Sequence, residues 1–308
     1  MKLSFITCTY NRSQLLIKNI ESVINQNFNS FEHYVIDDGS TDDTSKVIKK
    51  YKHIKYIKLN KNYGQPGAMF YSNVLKKVNG DYIIILDSDD YLLSSVKKII
   101  ETTIKKNKNA WSFSFNISSK NRKKLSFKKE KKINSKCLYH DNHPRYNSGA
   151  GYLDFIDIKK KIFYKKFIEY FKNPKYWYSS AIDVYFGNNF QEVFVNKKIA
   201  YYSFDSNNVT KGHNLEKYAP ITLYTRQHVF NKFNNLMKKK YYNYHLKSLI
   251  MNQLIFPGYK IKNFELIQRE KKNFTNYKDY YLFLLLLLLP TKLLFIIKKL
   301  LKKFRKNR

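Results

Sequence analysis

Gly80-Asp81-Tyr82-Ile83-Ile84-Ile85-Leu86-Asp87-Ser88-Asp89-Asp90 decides the fold. Residues 82–86 are apolar at every position. A strand with one wet face alternates, whereas a central strand covered on both faces reads as a continuous apolar run. Three carboxylates follow within four residues of its end. Open α/β sheets bind ligands at the carboxyl ends of their strands, so the acidic turn marks a candidate site.

Working outward, further strand-length apolar runs occupy residues 3–8, 33–36 and 54–59. Between them the apolar residues take helical spacing, as in Leu15, Leu16, Ile20, Val23 and Ile24. Strands alternating with helices predict parallel βαβ units. The run at 33–36 also ends in acid, Asp37-Asp38, so two acidic strand ends should face one cleft. Residues 110–117 give one more strand, and the lysine-rich stretch 120–136 reads as a solvated loop or hairpin. After Ser148-Gly149-Ala150 the pattern is mixed and aromatic, with helices expected over about 221–252.

Of 23 acidic residues, eight lie between positions 37 and 90: Asp37, Asp38, Asp42, Asp43, Asp81, Asp87, Asp89 and Asp90. Crowded carboxylates repel one another unless a cation or hydrogen-bond donors compensate them. Some have plain structural readings. Asp42 and Asp43 suit the first turn of a helix, Asp81 suits a turn, and Asp90 suits a helix cap. Asp87 and Asp89, one residue apart beyond a buried strand, fit Mg²⁺ or Mn²⁺, which takes one or two carboxylates plus substrate phosphates.

Three stretches in order, Ile6-Thr7-Cys8-Thr9-Tyr10-Asn11-Arg12, Val35-Ile36-Asp37-Asp38-Gly39-Ser40-Thr41-Asp42 and Gly80-Asp81-Tyr82-Ile83 running into Leu86-Asp87-Ser88-Asp89-Asp90, resemble the family 2 inverting glycosyltransferases. The resemblance implies a GT-A fold: a Rossmann-like, mostly parallel sheet flanked by helices. It implies that Thr7, Cys8, Thr9, Tyr10, Asn11, Asp38, Asp87 and Ser88 hold a nucleotide-sugar, for which a UDP-sugar is the first choice. Asp38 would accept a hydrogen bond from the base, Asp87 would meet the ribose or the metal, and Asp89 would bind the metal. An inverting transfer needs a general base, and Asp183 is the best-placed carboxylate, ahead of Asp154, Asp157 and Asp205; Ile182 stands where the family usually has Glu. Many relatives carry Ala-Arg-Asn before the Gly-Asp-Tyr-Ile motif, whereas this chain has Gly64-Gln65-Pro66-Gly67-Ala68 and then Phe70-Tyr71-Ser72. The Gln-x-x-Arg-Trp motif of processive synthases is absent from the sequence, so transfer of one sugar at a time is expected.

The expected organisation is a GT-A domain over 1–215, with a nucleotide-sugar half at 1–117 and an acceptor half at 118–215. A helical extension at 216–280 and an apolar, basic tail at 281–308 follow. In that tail residues 281–289 are wholly apolar, but nine helical residues rise only about 13 Å against a hydrocarbon core of roughly 30 Å. Beyond Pro290, Leu293, Ile297, Leu300, Leu301 and Phe304 share one helical face while seven basic residues and no acidic one fill residues 298–308. That composition fits an interfacial helix on an anionic membrane surface.

The chain has 308 residues and a formal charge of +35, a field that draws polyanions of any kind. Two cysteines, Cys8 and Cys137, cannot build a disulfide framework, and the N-terminus turns polar at Thr9-Tyr10-Asn11-Arg12 too early for a signal peptide. A cytoplasmic enzyme attached peripherally to the inner face of the membrane is therefore expected. Its acceptor would be a glycan or a lipid-linked intermediate, and nucleic acid is not expected as a partner. Two competing readings remain: a nucleotidyltransferase, for which a glycine-rich phosphate loop is lacking, and a non-enzymatic basic protein that binds RNA or membrane, which leaves the clustered aspartates without a role.

Overall fold

The computed structural model describes residues 1–119, 131–133, 155–162, 191–203, 246, 265, 267–268, 271–273, 277–290 and 293. The chain divides into two units, Met1–Tyr218 and Ala219–Arg308.

The first unit opens with β1 (Leu3–Thr9), α1 (Ser13–Ile24), β2 (Phe31–Asp37), α2 (Thr44–Lys49), β3 (Ile54–Lys58), α3 (Gly64–Tyr71), α4 (Val74–Lys77) and β4 (Tyr82–Ile85). It continues with β5 (Tyr91–Leu92), α5 (Lys97–Lys106), β6 (Ser112–Ser118), β7 (Lys131–Ile133), β8 (Phe155–Lys160) and β9 (Glu192–Tyr201). The helical spacing read in the sequence is the buried face of α1, where Leu16, Ile20 and Val23 point inward.

Among the described residues the strands form one sheet in the order β3-β2-β1-β4-β8-β6-β9-β5, with β7 paired to β9. The first four strands are mutually parallel, with Leu3 opposite Phe31 and Tyr82 and with His33 opposite Ile54. Beyond β4 the sheet is mixed: β8 runs antiparallel to both β4 and β6, and β9 runs parallel to β6. Of these strands the sequence marked only β6. The other two, β8 and β9, lie in the stretch read as mixed and aromatic, because charge at Asp157, Lys159 and Lys160 in β8 and at Lys197 and Lys198 in β9 leaves no continuous apolar run. Within the lysine-rich stretch, Lys131–Ile133 is not loop but a strand paired with β9.

The chain builds β1, β2 and β3 in one direction across the sheet and then returns to the other side of β1 for β4. The switch point thus lies between the carboxyl ends of β1 and β4, where α/β sheets open a binding crevice. One face of the sheet buries Phe5, Ile84, Phe113 and Val193 together with Ile100 and Ile104 of α5. Leu16 and Ile20 of α1 pack against Val35 and Ile48 in a separate cluster.

In the second unit, α6 (Tyr277–Leu288) ends just before Pro290. Tyr280, Phe283 and Leu286 are buried, while Tyr281, Leu282, Leu285 and Leu288 are exposed. Among the described residues no helix is long and apolar enough to cross a membrane. The helices expected over 221–252 lie outside the described residues except Leu246, and the basic segment after Pro290 does so except Leu293.

Candidate active site

Three loops meet at the switch point. The turn after β1 carries Asn11 with φ +51°, a left-handed conformation that asparagine tolerates. The Asn11 side-chain oxygen accepts the Thr41 N–H at 2.8 Å, and the Asn11 N–H donates to Ser40 Oγ at 3.0 Å. Asp42 accepts the Ser13 N–H at the start of α1 and the Thr44 N–H at the start of α2, both at 3.0 Å. Asp42 thus ties the starts of α1 and α2 together from outside both helices; neither it nor Asp43, which immediately precedes α2 and pairs with Lys46 at 2.7 Å, lies in a first helical turn as expected.

Asp37 is fully buried and structural: it accepts the Ser40 N–H and the Tyr56 hydroxyl, each at 2.8 Å. Burial, reinforced by Asp37, pushes the Tyr56 phenol up to about 12. Asp38 turns toward the start of α3, where its two oxygens accept the Tyr63 N–H at 2.9 Å and the Gly64 N–H at 2.8 Å. Burial lifts its carboxyl to about 6 although both bonds favour the anion, and Asp37 adds to the lift. Gly39 (φ +78°) is required beside it, because a Cβ there would stand 2.6 Å from the Lys61 carbonyl carbon.

Beyond β4, Asp87 accepts a hydrogen bond from Gln65 Nε2 at 2.8 Å, and Asp89 lies 3.0 Å from the Arg12 guanidinium. Burial, then the Asp89 charge, raises Asp87 to about 6. Burial, then Asp87 and Asp89, raises Asp90 to about 9. Asp90 accepts the Ser203 N–H at 3.1 Å and precedes a strand, so it ties β4 to the end of β9 instead of capping a helix. Asp81 is a turn residue, bound to the Lys2 N–H at 2.7 Å.

Adjacent residues of α3 bind both acidic strand ends, the Gly64 N–H donating to Asp38 and Gln65 Nε2 to Asp87, so the two ends lie side by side at the switch point. The Cys8 thiol at the end of β1 is pushed strongly up by burial and then by the charges of Asp87 and Asp38. Tyr10 is exposed and Ser88 is buried in the acidic turn. Thr7 turns inward, with its hydroxyl 3.2 Å from Asn19 Oδ1 and 3.0 Å from His33 Nε2. Thr9 is buried, and its hydroxyl has no hydrogen-bond partner among the described residues. Asp183, Asp154 and Asp205 lie outside the described residues. Asp157 sits in β8, accepting the Ser114 hydroxyl at 2.6 Å and lying 3.3 Å from Lys159 Nζ.

Sequence reasoning assigned no site role to Arg12, Gln65 or Asn19. Gln65 comes from the segment that departs from the family pattern. Asn19 carried a readable signal, a polar side chain on the apolar face of α1 between Leu16 and Val23.

The donor set fits a divalent ion. Asp87 and Asp89 offer hard carboxylate oxygens at a strand end, with one oxygen of Asp87 taken by Gln65, and among the described residues no group of three or more His, Cys, Asp or Glu gathers around a metal position. Two protein carboxylates suffice for Mg²⁺ or Mn²⁺ when phosphates complete the shell.

The family model of glycosyl transferase family 2 matches residues 4–169. The GalNAc(5)-diNAcBac-PP-undecaprenol beta-1,3-glucosyltransferase of Campylobacter jejuni is 43% identical over 97 residues, covering 30% of this chain and 31% of that protein. The Escherichia coli UDP-Glc:alpha-D-GlcNAc-diphosphoundecaprenol beta-1,3-glucosyltransferase WfaP is 36% identical over 92 residues, covering 30% of this chain and 37% of that protein. These matches thus span about a third of either relative. The crystal structure of S. aureus TarS 1-349 in complex with UDP-GlcNAc superposes with a TM-score of 0.59 at 19% identity, over 85% of this chain and 76% of that one. At that identity the likeness shows the GT-A fold.

Proposed function

The chain belongs to glycosyl transferase family 2, and from that premise we propose that it moves a sugar, with inversion, from a nucleotide-sugar to a hydroxyl of a glycan or lipid-linked acceptor in bacterial surface polysaccharide synthesis. The convergence of Asp38 and Asp87 on adjacent residues of α3, beside the carboxyl ends of β1 and β4, carries this reading.

In this proposal the turn Cys8–Asn11 and Ser88 hold the nucleotide, and Asp38 accepts an N–H of the base. Asp38 is already fixed by the start of α3, so it needs no reorganisation to do so. Gln65 orients Asp87, and Arg12 offsets the charge on Asp89. Asp87 and Asp89 would hold Mg²⁺ or Mn²⁺, which when bound neutralises charge on the departing nucleoside diphosphate. Asp183 takes the proton of the acceptor hydroxyl as its oxygen attacks the anomeric carbon opposite the leaving group. A UDP-sugar is the proposed donor, supported by the UDP-Glc of one relative's name and the UDP-GlcNAc of the TarS complex.

The enzyme is further proposed to work at the inner face of the membrane. Support comes from the net charge of +35, the basic segment after Pro290 and the exposed stripe Tyr281, Leu282, Leu285 and Leu288 on α6.

The test is a nucleotide-sugar panel with purified protein and Mn²⁺, read by mass spectrometry. Release of nucleoside diphosphate supports the transferase. Release of pyrophosphate, or no turnover of any donor alongside metal-independent RNA binding, overturns it.

A further inference from the structure

The acidic turn is built on α1. Asn19, Ser22 and Gln26 follow one another at i, i+3 and i+7 along one face of that helix and its C-terminal end. Asn19 is fully buried, and its Nδ2 donates to the backbone carbonyls of Asp87 at 2.9 Å and Asp90 at 2.8 Å. Ser22 Oγ accepts the Leu92 N–H at 3.0 Å and donates to the Asn19 carbonyl at 2.7 Å. Gln26 accepts the Val96 N–H at 2.9 Å and donates to the Leu93 carbonyl at 2.8 Å. Two side chains of α1 and one from the turn just beyond it thus hold backbone groups at Asp87, Asp90, Leu92, Leu93 and Val96.

Asn19 is itself held from behind. Its Oδ1 accepts the Thr7 hydroxyl, so His33 Nε2, 3.0 Å from Thr7 Oγ1, must be the donor in that pair. A chain of hydrogen bonds runs from β2 through β1 and α1 to the carbonyl of Asp87. Asp87 and Asp89 are crowded in this turn, and tying its backbone to α1 holds it in place against their mutual repulsion.

We infer that Asn19, supported by Ser22 and Gln26, is the positioning residue of the carboxylate turn, setting how Asp87 and Asp89 present their oxygens to the donor's diphosphate and its cation. This rests on the proposed reading of that turn as the donor and metal site. Outer partners that orient metal ligands typically change metal affinity roughly 10- to 100-fold when removed.

The test uses the full chain and Mn²⁺ with UDP as the probe, following Mn²⁺ by electron paramagnetic resonance well below the melting temperature of each variant. Asn19→Asp replaces two N–H donors with oxygen facing two carbonyls and should weaken Mn²⁺–UDP binding by roughly 10- to 100-fold. Ser22→Ala should weaken it less, Ser22→Thr should retain it, and Gln26→Met, farthest from the carboxylates, should mainly lower the melting temperature. Should Asn19→Asp not fold, the Ser22 pair carries the test. Folded Asn19→Asp or Ser22→Ala protein with wild-type affinity would overturn the positioning role while leaving the site intact. Wild type that binds Mn²⁺–UDP no better than Asp89→Ala would overturn the site reading and the inference together.

Discussion

The Arg12 guanidinium stands 3.0 Å from the Asp89 carboxylate, with Asp89 only 7% exposed, so the end of β1 supplies the positive charge that the end of β4 lacks. Removing the Arg12 side of so buried a pair costs on the order of 3 kcal/mol. Arg12→Gln should melt several degrees lower in chelator. Mn²⁺ should then raise its melting temperature more than it raises that of the wild type, since the ion replaces the missing charge. Equal Mn²⁺ shifts in both proteins would show that Arg12 does not share this compensation.

Asp89→Ala should abolish donor turnover with little change in melting. It removes a ligand and relieves repulsion within the turn, and Arg12, 19% exposed, can reach water once its partner is gone. Nucleoside diphosphate release and thermal melting should therefore diverge. Full turnover, in the variant or in wild type with excess chelator, would sink the metal assignment.

The site was legible where chemistry follows from local pattern. The apolar run at Tyr82–Ile85 announced a buried strand, and its acidic end announced the crevice. Asp87 was singled out because crowded carboxylates at a strand end need compensation, and Asp38 through the family resemblance; the structure sets both against the start of α3. Gln65 was missed because it reaches Asp87 across 22 positions of sequence from a helix that carried no charge signal. Asn19 was missed because a single polar residue on an apolar helix face announces burial but not its partner. The strand β8 was missed altogether, since Asp157, Lys159 and Lys160 break its apolar pattern, and its antiparallel pairing with β4 depends on the path of the chain between strands, which composition does not state.

Asp183→Asn should keep donor and metal binding while lowering transfer by roughly 10²-fold or more, the scale of a lost general base. Slow hydrolysis of the donor by water should persist. Transfer at the wild-type rate would move the base to Asp154 or Asp205, because Asp157 is engaged by Ser114 and Lys159 within the sheet.

His33 gives the protein a pH-dependent term that can be isolated. Burial, with a smaller contribution from His53, pushes its imidazole down to about 3. The ring is therefore neutral in the native state and charges on unfolding below its ordinary value. Its contribution is fully present above about pH 6.5 and is lost as pH falls toward 3, at about 1.4 kcal/mol per unit. His33→Gln keeps a donor toward Thr7 without the titration. The stability of wild type relative to this variant should fall steadily between pH 6 and pH 4 in denaturant titrations; a constant difference would place the charged ring in the folded protein.

The membrane proposal separates into an apolar part and an electrostatic part, and α6 shows how to test each. Phe283 and Leu286 are buried, so cutting within α6 would damage the fold; the deletion should begin after Pro290, and the stripe should be probed by Leu285→Glu at a position 62% exposed. Each basic residue near an anionic surface contributes about 1 kcal/mol, so removing residues 291–308 should release the protein from anionic vesicles and leave little salt dependence behind. Leu285→Glu should weaken binding by losing apolar burial and adding one negative charge, while most of the salt slope persists because the seven basic residues of the tail are untouched. Deleted protein that sediments with vesicles as before would move attachment to the basic surface of the first unit. Wild-type binding that survives both high salt and alkaline carbonate would instead mean insertion into the bilayer, so both extractions belong in the experiment.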